Sequence, residues 1–337
     1  MFDNTYRGRR AATLENDALR VTVLREGGHI AEIFDKESGV NPLWTPPWPS
    51  IEPSSYDPAR LSEYGDGIDA RLLAGIMGHN LCLDVFGAPS EEEFAAGIGV
   101  HGESSVAPYE FDGEVFRARF PLAGLAFERR IELRGRAVRI AESVTNLSAT
   151  DRPIAWTQHV TLGPPFLEKA RTQLRAPVAR SKAFESRFGA NDYIPPGIEF
   201  DWHRSGLDGV SGAAKSSAFT THLMDPAHDD AFFLAYSPGY RLAFGYVWRQ
   251  ADFPWLGMWE ENHSRMHAPW NGQTLAQGME FGVSPMPESR RAMIERGRLF
   301  GVPTYRWLPA RATIRAEYWA LAQTADAVPN CLTRPAP

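Results

Sequence analysis

The 337 residues are 43% apolar and 23% charged, with 35 Lys and Arg against 41 Asp and Glu, a net charge of -6. Such a chain buries a large core, is not disordered, and lacks the basic stripe that would follow a phosphate backbone, so nucleic acid is excluded as an expected partner. No apolar run is long enough to span a bilayer, and the opening MFDNTYRGRR has no apolar signal region, so the expectation is a cytoplasmic protein without membrane contact.

Along the chain the dominant pattern has a period of two. Leu19, Val21 and Val23 alternate with Arg20 and Thr22. Phe116, Ala118 and Phe120 alternate with Arg117 and Arg119, and Val138, Ile140 and Val144 with Arg139 and Ser143. Turn clusters at 25–29, 35–39, 145–153 and 236–240 separate these runs and predict hairpins. Helical signals are few. Ser90, Glu93 and Gly97 supply an N-cap, a capping box and a stop for one short helix, and residues 287–297 predict a second. No linker or composition break divides the chain, so the expectation is a single all-β domain over residues 1–337, a large antiparallel β-sandwich with a few short helices and a surface tail over 325–337. Cys82 and Cys331 are too few for a disulfide framework or a metal cluster.

Strand parity places one histidine. In 154–161, Ile154, Trp156, Gln158 and Val160 share a face, while Ala155, Thr157, His159 and Thr161 share the other. The apolar set packs inward, so His159 projects from the smaller, more polar face. On parity alone a surface or turn-bonded histidine is the plainer reading.

Four stretches, in this order, resemble the galactose mutarotase-like (aldose 1-epimerase) superfamily: GGHIAEIFDKESGVNPLW (27–44), VHGESS (100–105), WTQHVTLGPPF (156–166) and GMEFGVSPMPES (278–289). The resemblance runs from about residue 18 to 320. It implies a mutarotase-like sandwich and an isomerase that interconverts the anomers of a sugar without a cofactor. It implies that His159 is the catalytic acid on the open, concave side and that His101 contacts the sugar. It places Asp229 and Asp230 where the family keeps a hydroxyl-binding aspartate. The sequence departs from the family where the catalytic glutamate belongs, because WLPARATIRAEYW (307–319) puts Arg311 there.

Anomer exchange needs a group to take the O1 proton and a group to protonate the ring oxygen, and His suits the second role near neutral pH. Three carboxylates compete for the vacant base role. Glu280 points away from Met279, Phe281 and Val283, with glycines beside it. Glu261 shares a face with Trp255, Gly257 and Trp259, whose indoles suit the apolar face of a pyranose, and a register slip would bring Glu260 there instead. Further candidate sugar contacts are Glu103, His79, Asn80, Arg71, Asp230, Trp259 and Arg311. No HxH, HExxH or CxxC spacing, phosphate loop or nucleophile elbow occurs, so neither a metal nor a cofactor is expected. A small-molecule carbohydrate is the expected partner of a monomer or homodimer. The alternatives are a sugar-binding protein without catalysis, or a lyase or glycosidase on the same scaffold.

Overall fold

Wherever apolar and polar residues alternate between turn clusters, the chain is extended. The computed structural model describes residues 1–335 and builds two large antiparallel sheets, one of eleven strands and one of eight. The centre of the larger sheet is formed by β1 (His79–Leu83), β2 (Trp156–Leu162), β3 (Ser216–Met224), β4 (Trp255–Asn262) and β5 (Leu275–Gly282). In space they run β1-β2-β5-β4-β3. The smaller sheet is built mainly on Leu125–Arg134, Ala137–Asn146, Asp230–Ser237, Leu242–Arg249 and Thr313–Thr324. The antiparallel sandwich expected from the sequence is therefore the fold.

The inner faces meet through Trp156, Val160, Met279 and Phe281 on one side and Phe244, Tyr246, Trp248 and Tyr318 on the other. Phe281 lies flat on Trp248, ring centroids 4.2 Å apart. Each such side chain contributes about 1.5–3 kcal/mol by leaving water. A polar network is buried among them. Arg129 Nε donates to Glu142 at 2.8 Å, and Glu142 also accepts from Gln158 at 2.6 Å, Trp156 Nε1 at 3.1 Å and Tyr318 OH at 2.7 Å. His79 extends it, with Nε2 2.9 Å from Gln158 Oε1 and Nδ1 3.1 Å from Tyr246 OH.

The opposite face of the larger sheet is covered rather than open. A second apolar cluster of Trp44, Leu72, Leu73, Ile76, Phe86, Phe219, Trp259 and Trp270 roofs it. Part of that roof is α1 (Ala70–Leu73), a helix the pattern did not predict. The two expected helices are present as α2 (Glu91–Ala95), with the Ser90–Glu93 capping box formed, and α3 (Arg290–Arg296), capped by Ser289. The expected surface tail is partly docked instead. Leu332 is buried against Leu234, Tyr236 and Ala243, and Arg334 pairs with Asp230 at 2.7 Å.

Because removing one partner of a buried ion pair leaves the other charge stranded, Arg129→Met is expected to lower the unfolding free energy by about 3–5 kcal/mol in a denaturant titration. The double change Arg129→Met with Glu142→Leu is expected to recover part of that loss. A single variant as stable as the parent would show that the buried pair, cross-strand neighbours of the smaller sheet, does not support the fold.

Candidate active site

The register of β2 with both neighbours decides which side chains meet. His159 is opposite Asn80 of β1 on one side and Glu280 of β5 on the other, and Glu280 is in turn opposite Gly257 of β4. All of these side chains project from the covered face. His159 Nε2 lies 3.2 Å from Glu280 Oε1, and His159 Nδ1 lies 3.2 Å from Thr161 Oγ1. The carboxylate has space because its neighbours are glycines. A Cβ on Gly278 would sit 2.5 Å from Glu280 Oε1.

His101 arrives from a loop. Its φ of +64° and the +76° of Gly102 turn the chain sharply, and a Cβ on Gly102 would meet Leu83 O at 2.2 Å. The turn brings the His101 ring to 4.8 Å from that of His159, with Asn80 Nδ2 3.4 Å from His101 Nδ1. Asn80 thus orients His101 from behind.

Burial sets the protonation of the cluster. His159 is 6% exposed, and loss of water pushes its imidazole down to about 4. Burial pushes His101 well below its usual range, with the His159 charge adding to the effect. The Glu280 carboxyl is pushed well above the carboxylate range for the same reason. Burial thus disfavours the charged form of each partner. With both partners uncharged, Glu280 donates to Nε2 of His159, and the Nδ1–H of His159 faces Thr161 Oγ1. His101, accepting from Asn80 at Nδ1, keeps its Nε2–H for a ligand.

These three groups line a cleft of 490 Å³ whose remaining walls are mostly apolar. Trp259 stands 6.2 Å from His159 and 5.9 Å from Trp270. Phe184, Phe188 and Phe219 form another wall, and α1 contributes Leu72 and Leu73. Arg265 and Asp69 are the further charged side chains in the lining. Larger grooves of 530 and 610 Å³ lie on the outer face of the smaller sheet, lined by ion-paired groups such as Arg139 with Glu317. They hold no acid–base cluster, so the chemistry points to the aromatic cleft.

No family model matches the chain, and no curated protein matches it. Solved structures do. A proposed aldose 1-epimerase from Klebsiella pneumoniae superimposes with a TM-score of 0.70 at 15% identity, covering 96% of this chain and 83% of that one. A galactose mutarotase-like protein from Clostridium acetobutylicum gives 0.63 at 14% identity over 95% and 97% of the two chains, and a proposed aldose 1-epimerase from Escherichia coli K12 gives 0.63 at 12% over 94% and 100%. The fold is galactose mutarotase-like.

Within the mutarotase-like sandwich, His101, His159, Glu280 and Trp259 come together in the cleft, and several other candidates do not. His79 faces the opposite way, into the inter-sheet network, because parity sets it against Asn80. Arg311 sits on an exposed turn, bonded to the Leu147 carbonyl. Arg71 is exposed on α1 and donates to Pro53 O at 3.2 Å. Asp230 belongs to the smaller sheet and pairs with Arg334, while its neighbour Asp229 is exposed. Glu103 accepts from the Ala123 backbone at 2.7 Å and ties two loops together. Glu260 accepts from Tyr193 OH at 2.9 Å and from Ser216.

Glu261 is on the expected face, yet Oε1 is occupied by the backbone N–H groups of Ser264 at 2.7 Å and Arg265 at 3.0 Å. It builds a turn rather than facing the cleft. That turn presents Arg265, which sequence reasoning missed, as it missed Asp69, Trp270, Phe184, Phe188 and Phe219. Five of the six lie in loops or at α1's approach, where no periodicity carries a sign of the cleft, and Phe219 lies within β3, opposite Trp259.

The sign of the titration follows from the two directions. An unfolded-chain histidine takes up its proton below about 6.5, whereas native His159 does so only near 4, so its contribution to stability is lost as the pH falls through that window. Glu280, raised in the native state, acts oppositely and costs stability as the pH rises above the ordinary carboxylate value. Nitrogen-15 spectra of the imidazoles are expected to show a neutral His159 ring from pH 7 down to about pH 5. A ring that titrates near 6.5 would contradict the dry, neutral pair.

Proposed function

We infer that the cleft is the active site of a carbohydrate isomerase that interconverts sugar anomers. The observation that carries this reading is the buried His159–Glu280 pair, 3.2 Å apart, at a cleft walled by the Trp259 and Trp270 indoles. Indole faces suit the C–H faces of a pyranose, and a donor beside an acceptor suits a carbon that bears two oxygens. O1 and the ring oxygen are both bonded to the anomeric carbon, so side-by-side groups can reach both.

The protonation directions reverse the roles expected from the resemblance. Glu280, which holds the proton, gives it to the ring oxygen as the bond from the anomeric carbon to that oxygen breaks. Nε2 of His159, freed as Glu280 gives up that proton, takes the O1 proton, and the open aldehyde forms. Rotation about the bond next to the aldehyde presents its other face. The former ring hydroxyl then adds back, returning its proton to Glu280 while His159 returns its own to O1. His101 Nε2–H steadies a sugar oxygen through both steps. No net proton is exchanged with solvent.

The reading without catalysis drew on Arg311 in place of the family's glutamate. Arg311 lies outside the cleft, and Glu280 supplies a carboxylate in register with His159. Two-dimensional exchange NMR on a panel of reducing sugars tests the isomerase reading. At least one sugar is expected to interconvert faster than in buffer alone, and Glu280→Gln and His159→Asn are each expected to cut the rate by about 10²–10⁴. The rate is expected to fall below about pH 4, as His159 charges, and again where Glu280 ionises. Uncatalysed rates across the panel with folded protein would refute it, and cleavage of an aryl glycoside would replace it with a hydrolase.

A further inference from the structure

Arg265 is the one permanent cation lining the cleft among the described residues. Its guanidinium is packed over three aromatic rings, 4.7 Å from Trp270, 5.3 Å from Trp259 and 5.6 Å from Phe188. Stacking of this kind removes water from both faces of the group and leaves the N–H edge as its polar outlet. That edge is underused. Its ion pair among the described residues is a 3.5 Å contact from Nε to Glu261 Oε2, and neither Nη makes a side-chain hydrogen bond there. The side chain keeps 23% of its exposure. Trp259 joins it to the reacting groups, since the same indole that carries Arg265 faces the His159 ring at 6.2 Å.

We propose that Arg265 is an anion-binding, specificity-determining residue and that the cleft takes a sugar acid, a pyranose bearing one carboxylate. This rests on the reading of the cleft as a pyranose site. A planar carboxylate matches two parallel N–H groups of the guanidinium fork, and such a charge-assisted pair is strongest where water is excluded. The surrounding charge selects a monoanion over a phosphate dianion. Glu261 lies 3.5 Å from Arg265, and Asp69 lines the same cleft. One added negative charge meets the unused Nη edge of Arg265, and a second would face those carboxylates without a cation of its own. The apolar walls of Phe184, Phe188, Leu72 and Leu73 agree, because they offer nothing to a ligand with many charged oxygens.

The test compares four ligand sets on wild-type protein: glucuronate and galacturonate, their methyl esters, the parent hexoses, and the hexose 6-phosphates. Affinity is read from the fluorescence of the tryptophans, two of which line the cleft, and anomer exchange is read separately by NMR. The acids are expected to bind about 10- to 100-fold more tightly than their esters and than the 6-phosphates. Arg265→Gln is expected to bring the acid-to-ester affinity ratio to about one, and Arg265→Lys, which keeps the charge and loses the fork, is expected to fall between. Equal affinity for acid and ester, tighter binding of the phosphates, or a preference that survives in Arg265→Gln would overturn the proposal. If Arg265→Gln does not fold, the acid–ester comparison on wild type and the lysine variant decide. Acid preference without anomer exchange of any sugar would sink the isomerase reading and leave this one standing. Fast exchange of neutral hexoses with no acid preference would do the reverse.

Discussion

The register of β2 between β1 and β5 is the constraint on which the site depends. Because successive side chains of a strand point to opposite faces, a slip of one residue would turn His159 into the sandwich and bring Gln158 out. The inner face opposes such a slip. Gln158 is bonded to Glu142, His79 and Tyr318, and Trp156 Nε1 is bonded to Glu142 as well. A displaced strand would break those bonds in a place water cannot reach, and buried polar groups left unpaired are costly. The polar network between the sheets therefore acts on the other face, where it keeps Asn80, His159 and Glu280 in one row.

The roof over that row gives the cluster its character. In water His159 and Glu280 would both be charged over much of the pH range between their ordinary values. Under Trp44, Phe86, Phe219, Trp259 and Trp270 both charged forms are disfavoured, which favours a neutral donor beside a neutral acceptor. The same aromatic surface that removes the water also offers flat faces to a ring. Solvent exclusion, ligand stacking and proton placement thus come from one set of side chains. Glu261 shows how the roof is fixed: a buried carboxylate tied to two backbone N–H groups shapes the turn that carries Arg265.

Much of this was legible in the sequence where period-two parity governs. The two faces of 154–161, the inward Met279 and Phe281 and the outward Glu280 all follow from alternation, and the all-β class follows from alternation between turns. Parity is silent on what a side chain finds once it points the right way. Glu261 and Glu280 satisfy the same rule, yet one is taken up by the turn that follows it. His79 and Asn80 are neighbours on opposite faces, and only the pairing of β1 with β2 says which one meets His159. Arg311 occupies the family's base position by order along the chain, but it sits on an exposed turn away from the cleft. Arg265, Trp270 and Phe188 come from loops, where no periodicity reports the direction of a side chain.

The most direct test is a crystal structure of the protein soaked in a reducing sugar. The account predicts a pyranose in the aromatic cleft, lying against Trp259, with O1 and the ring oxygen within hydrogen-bonding distance of His159 and Glu280. A sugar bound instead in the outer grooves beside Arg139 and Glu317, with the cleft holding only water, would contradict it.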